Sequence, residues 1–179
     1  KKVTEDSAEK EYINQGKLIL DATCAPADIR YPTDLGLLNQ ARKQTEKIID
    51  ILYGGLEEKP SKKPITQRII AKKEYLKIAK KRRVTKKQRR KAIKKQLQYI
   101  NRNLGQIEQL QMSGAKLEWL NDQQYKMLLV VATVHQQQLS MYENKQQRID
   151  DRIVSLTQPH VRPIVRGKAG TPVEFGAKL

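Results

Sequence analysis

The alternation of apolar and polar positions predicts one short strand near each end of the chain and four helices between them. Leu18, Ile19 and Leu20 form a continuous apolar run within residues 17–24, as expected of a buried strand. A second strand is predicted at residues 173–179, where apolar residues follow a turn rich in glycine and proline. The helical region therefore lies between the two predicted strands.

The first two predicted helices differ in how much apolar surface they offer. One is predicted over residues 35–53, with Thr33 or Asp34 supplying an N-cap oxygen and two glycines ending the helix. Its apolar face consists of Leu38, Ala41, Ile48, Ile49 and Leu52. The second helix follows Thr66 and has only a narrow stripe, formed by Ile69, Ile70, Leu76 and Ala79.

The third and fourth predicted helices carry long apolar seams. The third begins after the N-cap Thr85 and runs to about residue 111, and the fourth begins at Asn121 or Asp122. The third seam repeats every four and three residues: Ile93, Leu97, Ile100, Leu104 and Ile107. The fourth is Leu128, Val131, His135, Leu139 and Tyr142, continuing at Ile149 and Ile153. Two such seams joined by a short loop predict an antiparallel helical hairpin.

The resulting fold prediction is mainly α, with a long antiparallel helical hairpin inserted between two strands of one sheet. Residues 1–34 form a lead-in and the first strand, residues 35–157 form a basic all-helical insertion, and residues 158–179 form a loop and the second strand. The longest central apolar run, residues 127–134, is too short to span a membrane, so no membrane partner is expected.

The net charge of +17 arises mostly from one stretch of the helical region. Residues 72–95 hold fourteen Lys and Arg and a single acid, Glu74, which gives this stretch a charge of +13. Like charges on one helix repel, and phosphates offset that repulsion through counterion release. No aromatic residue lies between Arg82 and Gln98, so the segment is predicted to contact the nucleic-acid backbone without stacking on bases.

Two groups of basic residues are predicted to contact DNA. The larger group lies on the second and third helices and the turn between them. The smaller group lies in the loop before the last strand, and for it a loop charge with no DNA contact is an equally supported interpretation. The larger group is Lys80, Lys81, Arg82, Arg83, Lys86, Lys87, Arg89, Arg90, Lys91 and Lys94, and the smaller is Arg162, Arg166 and Lys168. An ordinary solvated helix face is the alternative for the larger group.

Asp21 is the candidate catalytic residue and metal ligand, because it directly follows the apolar run of the first predicted strand. A strand is a rigid mount for a carboxylate, and two-metal phosphoryl transfer uses carboxylates to hold its divalent cations. An aspartate that only binds a turn amide is the structural alternative. His135 lies on an apolar stripe with Leu139 at the position where a second ligand would stand, which predicts a core histidine.

The segments GKLILDATCAPADIRYPTDLGLLNQAR, residues 16–42, and QPHVRPIVRGKAGTPVEFGAKL, residues 158–179, resemble the catalytic domain of bacterial insertion-sequence transposases of the DDE type. The resemblance implies a ribonuclease H-like α/β domain, incomplete here, in which Asp21 matches the first acid of the triad. The second Asp and the Glu would then follow residue 179, so this chain alone is expected to be inactive.

The same resemblance implies the cofactor and the partners. The complete enzyme would use Mg²⁺ or Mn²⁺ to cut and join DNA, acting on element ends and on target DNA as a homo-oligomer. The expected location is the cytoplasm, at the bacterial nucleoid. Two alternatives remain open: a non-enzymatic coiled-coil DNA-binding protein that dimerises through the third helix, and a basic RNA-binding protein.

Replacing Asp21 by alanine in the complete enzyme is expected to abolish DNA cleavage while leaving DNA binding largely intact, because the carboxylate holds metal and the basic segment holds phosphate. Cleavage of labelled element-end DNA with Mg²⁺ and binding of the same DNA without metal measure the two properties. Cleavage that persists in Asp21→Ala would refute the assignment.

Overall fold

The computed structural model describes residues 25–29, 31–165 and 173–177, and shows a mainly helical protein with a small antiparallel sheet. Four helices are described: α1 Asp34–Gly55, α2 Arg68–Ala79, α3 Lys86–Met112 and α4 Asp122–Glu143. A short 3-10 turn, Leu117–Trp119, lies between α3 and α4. The strands are β1 Ala25–Pro26, β2 Arg162–Val165 and β3 Val173–Ala177.

Side-chain caps begin three of the helices at the predicted residues. Thr33 Oγ1 accepts a hydrogen bond from the backbone N–H of Gly36 at 3.1 Å. Thr85 and Asn121 each form a reciprocal capping box with the glutamine three residues later, Gln88 and Gln124. These bonds satisfy backbone donors that a helix start leaves unpaired, which explains why α1, α3 and α4 begin where they do.

The core lies where α1 packs against the hairpin of α3 and α4. One cluster joins the first half of α1 to the middle of α3 and α4: Leu37, Leu38, Ala41, Leu97, Ile100, Val131 and Val134, closed by Ile153 and Leu156. A second joins the last half of α1 to the end of α3 and the start of α4: Ile48, Ile49, Leu52, Leu56, Ile107, Leu110 and Leu128, with Ala115 and Leu120.

The order of these contacts fixes the helix directions. The first half of α1 meets the middle of α3 and its last half meets the end of α3, so α1 and α3 run parallel, whereas the order is reversed for α4, which runs antiparallel to both. The predicted antiparallel hairpin of α3 and α4 is therefore confirmed, and α1 packs along it as a third helix.

The last turn of α1 continues through Gly55, and a Cβ built on Gly55 would lie 2.6 Å from Cε3 of Trp119. Glycine at this position allows the indole to pack directly on the helix end.

The prediction that the α4 seam continues to Ile149 and Ile153 is wrong, because α4 ends at Glu143. Lys145 adopts a left-handed conformation with φ of 55°, and the N–H of Gln146 bonds to the carbonyl of Met141 at 3.0 Å. This is the hydrogen-bond pattern that closes a helix and reverses the chain. Ile153 still reaches the core, 7% exposed, from the non-helical segment that follows.

The predicted apolar stripe of α2 is also wrong in part. Ile69 and Ile70 are 68% and 52% exposed, and the residue of α2 that is fully buried is Ala71. The reason is the face that α2 turns toward its neighbours: Ala71 lies over Gln96 of α3, whose side-chain amide donates to the Ala71 carbonyl at 3.4 Å. Its other contacts to α1 and α3 include several polar ones, so a broad apolar face is not required.

The sheet joins the two ends of the described chain. Its strand order is β1–β3–β2, and both pairings are antiparallel. Ala25 pairs with Ala177, and Arg162 pairs with Gly176 across the other edge of β3. Pro163 is tolerated because β2 is an edge strand of this sheet. The predicted strand at residues 17–24, with Asp21, lies outside the described residues.

Within the described parts of the chain, the structure contains no helix long and apolar enough to cross a membrane. The domain boundaries at residues 34 and 157, and the complete sheet of a ribonuclease H-like domain, stay predictions.

Shortening Ile100 to alanine is expected to lower the free energy of unfolding by about 2–5 kcal/mol, because this side chain is fully buried between α1 and α4. Urea denaturation followed by helical circular dichroism measures the loss. Met112→Ala is the control, since Met112 is 87% exposed at the end of the same helix. Equal losses in the two variants would contradict the three-helix core.

Candidate nucleic-acid interface

The predicted basic residues of the larger group cluster at one end of a second hairpin, formed by α2 and α3. Gln106 of α3 donates to the carbonyl of Ile65 just before α2, at 2.9 Å, whereas Lys95 pairs with Glu74 further along α2. The two helices are therefore antiparallel, and residues 80–85 form the turn between them. We call the basic residues 80–94 of this turn and the start of α3 the basic tip.

Every member of the basic tip is exposed to solvent: Lys80, Lys81, Arg82, Arg83, Lys86, Lys87, Arg89, Arg90, Lys91 and Lys94. Among the residues that the structure describes, no carboxylate lies within 4.0 Å of their charged nitrogens. The tip thus presents ten cations whose charges the described protein does not neutralise locally. A surface of this kind attracts polyanions.

One cation of the tip is tied to the helical core. The guanidinium of Arg90 lies 3.9 Å from the ring centroid of Tyr142, near the end of α4. A cation over an aromatic face is stabilised by the ring quadrupole, by about 0.5–1 kcal/mol at an exposed site. Arg90 is therefore held in place, while its positive charge remains on the surface of the tip.

A polar cluster around Glu74 holds α2 on α3 next to the tip. The carboxylate of Glu74 is paired with the ammonium of Lys95 and accepts a hydrogen bond from the hydroxyl of Tyr99 at 2.8 Å. At the other end of α2, Asp50 of α1 accepts from Arg68 at 2.8 Å and lies 3.1 Å from the Lys63 ammonium. These contacts fix the orientation of α2, and with it the position of the turn.

The pKa values of these groups reflect the pairing. Partial burial alone would raise the pKa of Glu74, but the hydrogen bonds from Lys95 and Tyr99 outweigh burial and leave the pKa below its ordinary value. Burial, and then the bond to the Glu74 carboxylate, raises the pKa of Tyr99 to about 12. Burial would likewise raise the pKa of Asp50, yet the bonds from Arg68 and Lys63 lower it. Both carboxylates are consequently ionised at neutral pH.

The smaller predicted group is only partly described. Arg162 lies on β2, where its Nη1 donates to the carbonyls of Pro159 and, at 3.2 Å, Val161. Its Nε also lies 3.8 Å from a carboxylate oxygen of Asp151. Arg166 and Lys168 lie outside the described residues, as Asp21 does. The structure therefore places one of these three cations, and that one already bonds to its own loop.

His135 is a core residue, as predicted from its apolar stripe. It is 7% exposed on α4, and burial lowers the pKa of its imidazole despite a hydrogen bond with the backbone of Leu97. In the described ranges, no group of three or more His, Cys, Asp or Glu side chains is arranged to hold a metal ion.

Sequence reasoning missed the polar contacts that position the tip. Glu74 stood out as the lone acid in a run of fourteen cations, and this isolation was the available signal that it has a structural partner. Tyr99 gave no comparable signal, because its role depends on the crossing of α2 over α3. The cleft between these two helices was missed for the same reason.

No protein-family model matches this chain, and comparison with curated proteins and with solved structures finds no match either.

Replacing Glu74 by glutamine is expected to destabilise the protein at neutral pH by up to about 1 kcal/mol, since the ion pair is partly exposed. Because the folded pKa is lowered, this stability is present above the ordinary value of 4.5 and disappears as the pH falls through the folded value. Urea denaturation at neutral and at acidic pH measures the destabilisation and its dependence on pH. A difference between wild type and Glu74→Gln that stays constant down to acidic pH would contradict the assignment.

Proposed function

We propose that this chain is part of a DDE-type transposase and that its basic tip binds the phosphate backbone of DNA. The observation that carries the proposal is the exposure of ten cations in the tip with no described carboxylate beside them. Counterion release from DNA provides the free energy for such binding, and it requires no base-specific contact.

The rigidity of the tip supports a binding role over that of a merely solvated face. The turn is flanked by α2 and α3, which are held together by the hydrogen bonds of Lys95 and Tyr99 with Glu74. In addition, Arg90 is held over the ring of Tyr142. Side chains whose backbone is already ordered lose less conformational freedom when a ligand binds. A flexible basic tail would attract DNA by charge, but it would not hold it in one orientation.

The topology supports the transposase assignment. β3 pairs with Ala25–Pro26, which follow the predicted catalytic strand directly, so the ends of the helical region come together at one sheet. An insertion into a sheet requires this arrangement. In the proposal, Asp21 is one ligand for Mg²⁺ or Mn²⁺, and that part rests on the sequence, because Asp21 lies outside the described residues. The other triad acids, the homo-oligomer and the nucleoid location belong to the proposed complete enzyme.

The main alternative, a coiled-coil DNA-binding protein, requires an apolar seam on α3 that is free to pair with another copy. Leu97, Ile100 and Ile107 are instead 3% exposed or less, buried against α1 and α4. This burial counts against dimerisation through α3. Binding of structured RNA is the second alternative, and comparison of RNA with duplex DNA at one salt concentration distinguishes it.

Replacing Arg82, Arg83, Lys86 and Lys87 together by glutamine is expected to weaken duplex binding and to flatten its salt dependence. Each lost phosphate contact lowers the slope of log K against log salt by about 0.9, so the four together lower it by about 3 to 4. Fluorescence anisotropy of a labelled duplex over a salt series measures the slope.

The matched control replaces four exposed lysines outside the tip, Lys43, Lys47, Lys116 and Lys126, by glutamine. This variant has the same net charge as the tip variant. If both variants lose the same slope, the binding depends on overall charge and the tip is not the interface. If duplex DNA does not bind the wild type at all, the proposed function is wrong.

A further inference from the structure

A cleft of about 380 Å³ opens between α2 and α3 directly beside the basic tip. Its volume lies in the range of about 300–1,000 Å³ that is usual for small-molecule sites. The cleft combines three kinds of lining. These are exposed lysines, half-buried apolar side chains, and a buried amide with an unused acceptor.

The cationic lining is Lys77 and Lys81 from α2 and its end, and Lys91 from α3. All three are exposed, and none lies within 4.0 Å of a carboxylate among the described residues. Glu74 also lines the cleft, but its charge is balanced by Lys95 and its second oxygen accepts from Tyr99. The cleft therefore has a positive potential, and an anionic group is its electrostatic complement.

The apolar lining is formed by Tyr75, Ile78 and Ala92, each of which is half-buried. An aromatic ring beside aliphatic side chains provides a surface on which a planar base can stack. A bare phosphate would leave this surface uncovered. The cleft thus fits a ligand that is charged at one end and flat and apolar at the other.

The polar lining is Gln96, which is 1% exposed. Its Nε2 donates to the carbonyl of Ala71, while its Oε1 is buried with no hydrogen-bond donor among the described residues. A buried acceptor without a donor is unfavourable, because the hydrogen bonds that it would make with water are not replaced. A ligand with an N–H donor would remove that cost, and every unpaired DNA base has such a donor on its edge: an amino group in adenine and cytosine, both an amino group and a ring N–H in guanine, and a ring N–H in thymine.

We propose that the cleft between α2 and α3 binds one unpaired nucleotide of a DNA strand, with its phosphate on the lysines, its base against Tyr75 and Ile78, and an N–H group of the base edge on Gln96. This proposal rests on the proposed DNA binding by the tip and makes it more specific. The tip holds duplex backbone, and the cleft takes a base that is no longer paired. DNA with an unpaired end is then the preferred ligand.

The test compares a short blunt duplex with the same duplex carrying unpaired adenines at one end, by anisotropy at one fixed salt concentration. The wild type is expected to bind the overhang about tenfold more tightly, because a base that stacks on an aromatic side chain adds to the affinity. An overhang of abasic nucleotides, which lack the base that would stack, should bind more weakly than the adenine overhang. Equal affinity for blunt and adenine-overhang DNA, or for the two overhangs, would overturn the proposal.

Two pairs of variants locate the effect. Ala92→Phe fills the cleft without changing charge and should abolish the preference for the overhang while duplex affinity is kept; Ala79→Phe, on the exposed end of α2 outside the cleft, should retain it. Lys91→Gln and Lys94→Gln should weaken duplex binding alike, but Lys91→Gln alone should reduce the preference, since Lys94 does not line the cleft.

The outcomes separate this proposal from the proposed function. If wild type binds neither duplex nor overhang, the DNA-binding function itself fails. If duplex binding is salt-dependent but the preference survives in both Ala92→Phe and Lys91→Gln, the tip binds DNA and the cleft does not take the base. Helical circular dichroism tests whether each variant is folded. If Ala92→Phe unfolds, the comparison of Lys91→Gln with Lys94→Gln still tests whether the cleft binds the base.

Discussion

The packing of α1 along the α3–α4 hairpin is the constraint on which the rest of the structure depends. Its two apolar clusters are separated by a polar layer in which the buried Arg42 is paired with Glu46 and donates to Asn39 at 2.8 Å. Asn103 of α3 donates to Thr45 at 2.9 Å in the same layer. The contacts of Arg42 lie within α1, whereas the Asn103–Thr45 hydrogen bond joins two helices. Any register of α1 that broke this bond would leave buried polar groups unpaired, at a cost of about 1–3 kcal/mol. The polar layer selects one alignment, and the apolar clusters provide the burial.

The alignment of α1 also positions the segments at both of its ends. At the start of α1, Asp34 is paired with Arg152 and accepts from Gln138 at 3.1 Å, which fixes the segment that leads into β2. Near the end of α1, Asp50 holds Lys63 and Arg68, which fixes the entry to α2. A single helix therefore positions both the segment that leads into the sheet and the α2–α3 hairpin that bears the basic tip. The positions of the sheet and the tip can therefore be fixed through α1 without direct contact between them.

The sequence was sufficient for features that local chemistry decides, and insufficient for those that arise when helices cross. The caps at Thr33, Thr85 and Asn121 and the seam through Ile100 follow from side-chain type and spacing, and the structure has them at those residues. The exposure of Ile69 could not be foreseen, because it depends on the face that α2 presents to α3. Likewise, the end of α4 at Glu143 depends on the conformation of Lys145, a residue that equally suits a helix interior. At the candidate site, the tip was predictable from charge, whereas the cleft beside it needs two helices to be placed together.

The arrangement of α3 explains how a strongly basic surface coexists with a stable fold. Its later turns are buried against α1 and α4, while its first turns carry the cations, so the repulsion is confined to the part of the helix that contributes least to the core. Helix formation is cooperative, and a long buried segment supports the adjoining exposed turns. The Thr85 capping box and the contact of Arg90 with Tyr142 add further support at the charged end. In the proposed complex with DNA, phosphates would relieve the repulsion that remains, so the same charges that cost stability in the free protein would favour the bound state.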